Sequence, residues 1–160
     1  MTGRRLALTL VLAASIFGGV GLFAAPAASA HPLGNFTVNR YSGLVLSPGG
    51  VTVHYVLDMA EIPTFQETPN IDTDGDGTVS DAERGAWAQR KAPDILSRLS
   101  LSVDGKPVQL HVVSAAMRFR PGQAGLPILY FTATFAGPVP GASGSVEYAD
   151  RNYQGRIGWR

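Results

Sequence analysis

Apolar and polar residues alternate along several short segments of this chain, which is the pattern of β-strands that bury one face. The clearest segment covers residues 51–59, where every second side chain is apolar: Val51, Val53, Tyr55, Leu57 and Met59. Similar patterning runs through segments 35–46, 99–103, 108–113, 127–135, 145–148 and 153–159. Short strands at this spacing predict a mainly β, antiparallel, β-sandwich-like domain.

Two turn signals connect the predicted strands. The tetrapeptide 47–50, Ser-Pro-Gly-Gly, separates the first two segments and is typical of a hairpin turn. Asp104-Gly105 predicts a second hairpin between segments 99–103 and 108–113, because this dipeptide readily adopts the positive φ angles of a two-residue loop.

One part of the chain carries a helical pattern instead. Residues 81–91 contain good helix formers, and Pro93 is expected to kink or restart that helix. Upstream, Pro63 and Pro69 argue against an ordinary helix. The predicted fold is therefore mainly β with one helix and its preceding loop inserted between strands, α+β overall.

Residues 72–83 read Asp-Thr-Asp-Gly-Asp-Gly-Thr-Val-Ser-Asp-Ala-Glu and match the template of an EF-hand calcium loop. Ca²⁺ takes oxygen ligands, and a glycine in the middle of the loop allows the sharp turn that wraps the chain around the ion. The ligand positions of the template are filled by Asp72, Asp74, Asp76, the backbone carbonyl of Thr78, Ser80 directly or through a water, and a bidentate Glu83. The segment therefore predicts Ca²⁺ as the domain's cofactor.

The same residues also suit a helix start without metal, with Ser80 as the N-cap and Glu83 closing a capping box. Without a cation, however, the acidic side chains would repel one another, and this favours calcium binding. Sensor EF-hands work as paired units that open when calcium binds, whereas this loop stands alone and leads into one predicted helix. We therefore expect a structural calcium staple rather than a sensor.

Residues 1–30 have the layout of a secretory signal peptide. A basic pair precedes an apolar run over residues 6–23, and Ala-Ser-Ala at 28–30 forms a small-residue cleavage site. We expect cleavage and an exported, extracytoplasmic β-rich domain over residues 31–160. The alternative is an uncleaved anchor, since the apolar run approaches the roughly 20 residues that span a bilayer.

Composition excludes several functional classes. The formal charge of +1 becomes −1 once the positive charges of Arg4 and Arg5 are removed with the signal peptide, so no basic surface indicates a nucleic-acid partner. The chain has no cysteine, which excludes disulfides, thiolate metal sites and a cysteine nucleophile. The sequence contains no G-x-S-x-G elbow and no HExxH pair. We predict a protein that is not an enzyme.

The three histidines differ in what they offer a metal. His54 and His111 fall on the less apolar faces of their predicted strands and have no partner at zinc-site spacing. His31 would become the N-terminal residue after cleavage, and its α-amino group and imidazole could then chelate a transition metal. His31 is therefore a candidate transition-metal ligand; its alternative role is simply to follow the cleavage site.

Several segments carry a family resemblance. They are residues 31–42, His-Pro-Leu-Gly-Asn-Phe-Thr-Val-Asn-Arg-Tyr-Ser; 55–67, Tyr-Val-Leu-Asp-Met-Ala-Glu-Ile-Pro-Thr-Phe-Gln-Glu; the loop 72–83; the Val-Asp-Gly-Lys-Pro-Val hairpin; and 153–159, Tyr-Gln-Gly-Arg-Ile-Gly-Trp. In this order they resemble the extracytoplasmic N-terminal region of actinobacterial nickel/cobalt-transporter-like membrane proteins. The resemblance implies that a multi-helix membrane domain in the same full-length chain handles Ni²⁺ or Co²⁺. No apolar stretch after residue 30 is long enough to span a bilayer, and we expect this chain to be an N-terminal fragment of such a protein, tethered to the cell membrane through it.

Two other functions remain open at this point. One is a free-standing secreted binding module in which Ca²⁺ rigidifies a ligand surface; a stop codon after Arg160 would favour it. The other is a copper-dependent secreted enzyme that uses His31 as a two-nitrogen chelate. That enzyme would need His54 or His111 close to His31 in space.

Overall fold

The computed structural model describes residues 34–139 and 144–159, which form two antiparallel sheets and two α-helices. The strands are β1 (Val38–Ser47), β2 (Gly49–Met59), β3 (Leu99–Val103), β4 (Lys106–Pro107), β5 (His111–Pro121), β6 (Pro127–Val139) and β7 (Val146–Asp150). The helices are α1 (Glu61–Ile71) and α2 (Asp81–Leu96), and short 3₁₀ turns occupy Gly34–Phe36 and Gln123–Gly125. The larger sheet has the strand order β1-β2-β6-β5, and the smaller has β4-β3-β7. The prediction of a mainly β, α+β fold is confirmed at this level.

Two of the predicted features lie outside the described residues. These are the signal peptide at 1–30 and the candidate metal ligand His31. Within the described part, neither helix combines the length and the apolar character that crossing a bilayer requires.

The larger sheet buries one of its two faces. The predicted alternation in β2 is confirmed, because its five odd-numbered apolar residues are each at most 3% exposed: Val51, Val53, Tyr55, Leu57 and Met59. The register places Leu57 opposite Phe131 and Tyr55 opposite Ala133 on β6. Residues directly opposite each other point to the same face, so the central strands present one continuous apolar surface.

Both helices and the smaller sheet contribute to covering that surface. The ring of Trp87 on α2 meets Phe131 edge to face, with centroids 5.7 Å apart. At the other end of β2 and β6, Val51 and Val139 form a separate cluster with two residues of β3, Leu101 and Val103. The smaller sheet therefore packs on one end of the larger sheet through this cluster, and Leu99 and Tyr148 extend its contacts to the main core, where the helices supply the rest of the cover.

The prediction of a single helix is wrong, because α1 precedes the calcium-type loop. Pro63 lies in the first turn of α1. Backbone N–H groups in a first turn have no intrahelical acceptor, so the N–H that proline lacks is not needed there. Pro69 lies further inside the helix and removes one backbone hydrogen bond.

Contacts with the sheet anchor α1 and compensate for that loss. The Thr64 hydroxyl donates to the carbonyl of Met59 at 2.9 Å and accepts from the backbone N–H of Leu129 at 2.8 Å. Ile71, the last residue of α1, is fully buried. Tertiary packing therefore overrides the local preference against a helix at this position.

Two predicted strands also differ from the structure. Asp104-Gly105 does form a turn, with φ angles of 50° and 70°, but the returning strand is the two-residue β4. The following residues cross to the larger sheet, where β5 begins at His111. Residues 153–159 form turns and bends rather than a regular strand, although two of their carbonyls bond the outer edge of β1.

A buried polar cluster connects the two sheets. Arg40 of β1 is 2% exposed, and its Nη1 lies 3.5 Å from Oδ2 of Asp150 on β7. The Tyr55 hydroxyl donates to the same oxygen at 3.3 Å, and burial, followed by the charge of Asp150, raises the pKa of Tyr55. Tyr55 therefore remains a donor, and Asp150 joins β1, β2 and β7 at one point.

We expect Phe131→Ala to lower the free energy of unfolding by about 3–5 kcal/mol, because it removes a fully buried ring from the centre of the core. The matched control is Phe65→Ala on α1, where the ring is 71% exposed and the change should stay within about 0.5 kcal/mol. Urea denaturation of both variants measures the difference. Equal losses would contradict the assignment of this face as the core.

A candidate calcium site between two helices

The loop lies between two helices that are both fixed to the core. α1 ends at the buried Ile71, and Ile95 near the end of α2 is also fully buried. The helices contact each other through Trp87, whose Nε1 donates to Oε1 of Glu67 at 2.9 Å. Lys91 adds an ion pair to the same oxygen at 3.6 Å. The two ends of the loop are therefore held in place by tertiary contacts.

Three of the predicted ligands come together in this loop. Carboxylate oxygens of Asp72, Asp74 and Asp76 all lie within 4.8 Å of one another. Gly75 and Gly77 have φ angles of 72° and 84°, a conformation that side chains with a Cβ rarely adopt. These two glycines allow the chain to curl so that alternate aspartates face a common point.

Backbone N–H groups of the loop orient the aspartates. Asp72 accepts from Gly75 at 2.8 Å and from Gly77 at 3.0 Å. Asp74 accepts from Asp76 at 3.2 Å, and Asp76 accepts from Thr78 at 2.7 Å. Among residues 34–139 and 144–159, no basic side chain forms an ion pair with these three carboxylates. Three negative charges therefore converge without a cationic partner from the described chain.

Glu83 occupies a different place from the three aspartates. Its Oε1 accepts from the backbone N–H of Thr73 at 2.6 Å and from the Thr73 hydroxyl at 3.1 Å. Its Oε2 accepts from the backbone N–H and the hydroxyl of Ser80, both at 2.9 Å. The Glu83 carboxylate therefore ties the start of the loop to the start of α2.

Ser80 and Glu83 also form the capping box that the sequence offered as the metal-free alternative. The Ser80 Oγ accepts from the backbone N–H of Glu83 at 3.3 Å, which caps α2. Hydrogen bonds from the Ser80 and Thr73 backbones lower the pKa of Glu83 from 4.5 to about 2. The carboxylate is thus charged and satisfied where it lies, and it would have to give up its bonds to Thr73 to face the aspartates.

The other histidines show no metal-ligand arrangement. His54 and His111 are both exposed, and the only group of three metal-type side chains within the described residues is the aspartate cluster. His31 lies outside those residues, so its proximity to either histidine is not tested.

The sequence placed Asp58 and Glu61 at a strand end and indicated solvated polar side chains, but Glu61 is buried at the start of α1. Glu61 is 6% exposed, and its Oε1 accepts from the backbone N–H of Gln123 at 2.7 Å. Burial raises the pKa of the neighbouring Asp58, and the charge of Arg120 opposes that rise. Glu61 therefore holds the β5–β6 connection against α1. A negative charge is favoured at a helix N-terminus. The position of Glu61 at the start of α1 could therefore have indicated this contact from the sequence.

In the absence of metal, we expect Glu83 to make unfolding pH-dependent between pH 4.5 and 2. Because its folded-state pKa is lowered, its stabilising contribution is complete above pH 4.5 and is lost as the pH falls towards 2. Glu83→Gln should be less stable than wild type at neutral pH, and the gap should close in acid.

Urea denaturation in the presence of a chelator, across this pH range, measures the difference in the free energy of unfolding between the variant and the wild type. Glu147→Gln is the control, because its carboxylate receives only the Ser102 hydroxyl, at 3.3 Å. A gap for Glu83→Gln that does not change with pH would refute the proposed hydrogen bonding.

Comparison of the chain with protein-family models, with curated proteins and with solved structures finds no match. The residues of the loop and the elements that hold it are therefore the basis on which a function can be proposed.

Proposed function

We propose that this protein is an exported calcium-binding domain whose ion binds at residues 72–83. The observation that carries the proposal is the convergence of Asp72, Asp74 and Asp76 in the order of an EF-hand loop, between two anchored helices and without a basic partner among the described residues. A divalent cation would remove the repulsion between these charges. Hard carboxylate oxygens at this spacing are the donors that Ca²⁺ prefers.

The remaining donors follow from the same loop. Thr78 would contribute its backbone carbonyl and Ser80 its hydroxyl or a bound water. Glu83 would complete the site by exchanging its bonds to Thr73 for the ion, while the Ser80 Oγ continues to cap α2. Because this exchange gives up existing hydrogen bonds, we expect affinity in the weak range of extracellular modules, roughly 10⁻⁴ to 10⁻³ M.

A structural role fits this site better than a sensor role. α1 and α2 both bury apolar residues in the core, including Ile71 and Trp87, so an opening motion would expose them. With no cysteine to form a disulfide, an exported domain gains stability from an ion that binds only its folded state. Ca²⁺ would therefore fix the loop and the facing helix ends.

The wider context of the domain rests on the resemblance of segments 31–42 and 55–67 to nickel/cobalt-transporter-like proteins. On this proposal the domain lies outside the cell at the mouth of a membrane transport domain of the same full-length chain. The membrane helices would carry Ni²⁺ or Co²⁺. His31 is the proposed transition-metal contact of the exported part.

We expect Ca²⁺ to raise the thermal midpoint of unfolding. A ligand at a hundredfold excess over its Kd stabilises the folded state by about 2.7 kcal/mol, which corresponds to roughly 10 °C for a domain of this size. Asp74→Asn and Glu83→Gln should each remove most of that shift, because each deletes a ligand charge. Calorimetry with calcium titrated into the millimolar range measures it.

Asp81→Asn is the matched control within the same loop. The Asp81 side chain is 91% exposed and pairs with Arg84 rather than with the aspartate cluster, so this variant should keep the full calcium response. A midpoint that calcium does not change in the wild-type protein, or an equal response in all three variants, would refute calcium binding at this loop.

The transport assignment makes a separate prediction. The gene should continue beyond Arg160 into several apolar stretches of about 20 residues that carry histidines and carboxylates, because a metal ion needs polar ligands inside a bilayer. Nickel uptake by cells with the full gene should fall when residues 31–160 are deleted or His31→Ala is introduced. A stop codon after Arg160 would end the assignment, and normal uptake by both variants would remove this domain from transport.

A further inference from the structure

Two arginines lie close together on the outer face of the larger sheet, opposite the face that the helices cover. Arg118 of β5 pairs with Tyr130 of β6, and Arg120 follows two residues later on β5. Tyr130 is next to Phe131 in the strand, and successive side chains point to opposite faces, so Tyr130 points away from the core. Both guanidinium groups lie over its ring, with the Cζ of Arg118 at 5.0 Å and that of Arg120 at 3.3 Å from the ring centroid.

The charges of this pair are not neutralised within the described chain. Several other arginines each donate a side-chain hydrogen bond to a protein oxygen: Arg84, Arg90, Arg98 and Arg151. Within residues 34–139 and 144–159, Arg118 and Arg120 form no such bond and no ion pair. Asp58 lies opposite Tyr130 on β2 and interacts with the charge of Arg120 without pairing with it. One carboxylate can offset at most one of the two positive charges.

The two guanidinium groups repel each other at this separation. Because both distances end at the same ring centroid, the charges lie within about 8 Å of each other, and salt at physiological strength screens effectively only beyond a similar distance. The Tyr130 ring attracts both cations, and a guanidinium stacked on a ring keeps its in-plane N–H groups free to donate. Two sets of free donors are therefore held side by side, where one shared anion would relieve the repulsion.

An open cavity of about 130 Å³ adjoins this pair. Arg118, Tyr130 and Thr132 line it, and Ala116, which pairs with Thr132, is small enough to leave the space open. The Thr132 hydroxyl can donate as well as accept a hydrogen bond. The cavity therefore offers a cation, a hydroxyl and an aromatic surface to one small polar group.

We infer that Arg118 and Arg120 bind a phosphate group at this place on the outer face. A guanidinium presents a planar fork of donors that matches two oxygens of a phosphate. A dianionic phosphate carries two charges for the two arginines, whereas a carboxylate carries one. Stacking on Tyr130 already restrains both side chains, so less conformational entropy is lost when the anion binds.

The phosphate site and the calcium-type loop belong to opposite faces of the larger sheet. Phosphate binding should therefore persist in a chelator, which also prevents calcium phosphate from forming. Two sources can supply the group: a soluble phosphate ester or the headgroup of an anionic phospholipid. Both present the same phosphate oxygens to the two arginines.

Titration of the exported protein with sodium phosphate, in a chelator and at constant ionic strength, tests the site by ¹H–¹⁵N NMR. We expect saturable shifts of the Nε–H signals of Arg118 and Arg120 and of the Thr132 amide. Arg118→Gln should weaken binding about tenfold or more, because it removes charge-assisted hydrogen bonds. Arg98→Gln is the matched control: it removes the same charge from an arginine that Asp94 pairs at 2.8 Å, so it should bind phosphate like the wild type.

A second variant separates the donor fork from the bare charge. Arg118→Lys keeps the charge but loses the planar pair of donors, so it should bind phosphate more weakly than the wild type. Urea denaturation should show that both Arg118 variants keep the wild-type free energy of unfolding, since this side chain is exposed.

Glycerol phosphate and lipid vesicles then distinguish the two sources. A site for soluble esters binds glycerol phosphate and neither kind of vesicle, whereas a headgroup site sediments with phosphatidylglycerol vesicles and not with phosphatidylcholine vesicles. The absence of saturable shifts at Arg118 and Arg120 would overturn the inference. Equal losses in Arg118→Gln and Arg98→Gln, or unchanged affinity in Arg118→Lys, would also overturn it, because either result would indicate attraction by net charge alone.

Discussion

The larger sheet has to bury one face only, and the position of nearly every other element follows from that requirement. The apolar surface of β2 and β6 is held together by paired side chains such as Leu57 and Phe131, and removing such surface from water contributes about 25 cal/mol per Å². α1, α2 and the smaller sheet supply that cover. The calcium-type loop is consequently fixed at both ends by core residues, Ile71 before it and Trp87 after it.

Hydrogen bonds within the loop have opposite effects on a cation site. Those to Asp72 and Asp76 pre-orient the carboxylates, which reduces the entropy lost when an ion binds. Those to Glu83 from Thr73 stabilise a carboxylate that an ion would need to recruit. Hydrogen bonds from Ser80 and Thr73 together lower the pKa of Glu83 to about 2. The loop thus combines an oriented acidic triad with a fourth carboxylate, that of Glu83, which is held by other hydrogen bonds.

The buried charge of Arg40 needs a partner of opposite charge from the other sheet. Burying a guanidinium is costly unless it is paired, and the partner here is Asp150 on β7, which also accepts from the Tyr55 hydroxyl. Only the observed arrangement of the two sheets brings these groups together.

The sequence by itself determined the features that depend on local spacing. Period-two alternation identified the buried face of β2, the Asp-Gly dipeptide located a turn, and the ligand spacing in residues 72–83 identified an acidic triad that the structure brings within 4.8 Å. Each of these depends on neighbouring residues and on backbone geometry that sequence order largely sets.

Only the tertiary structure decided the features that depend on residues far apart in the chain. α1 forms despite Pro63 and Pro69 because the sheet, through Met59 and Leu129, compensates for the lost helical bond. After the Asp104 turn, β4 pairs over two residues only. The chain then crosses to the larger sheet, where β6 gives β5 a longer partner. For the same reason, the sequence could not decide whether the Glu83 carboxylate faces the aspartates or bonds Thr73 and Ser80. Ligation and capping use the same residues at the same spacing, and the folded positions of Thr73 and Ser80 give Glu83 the capping arrangement.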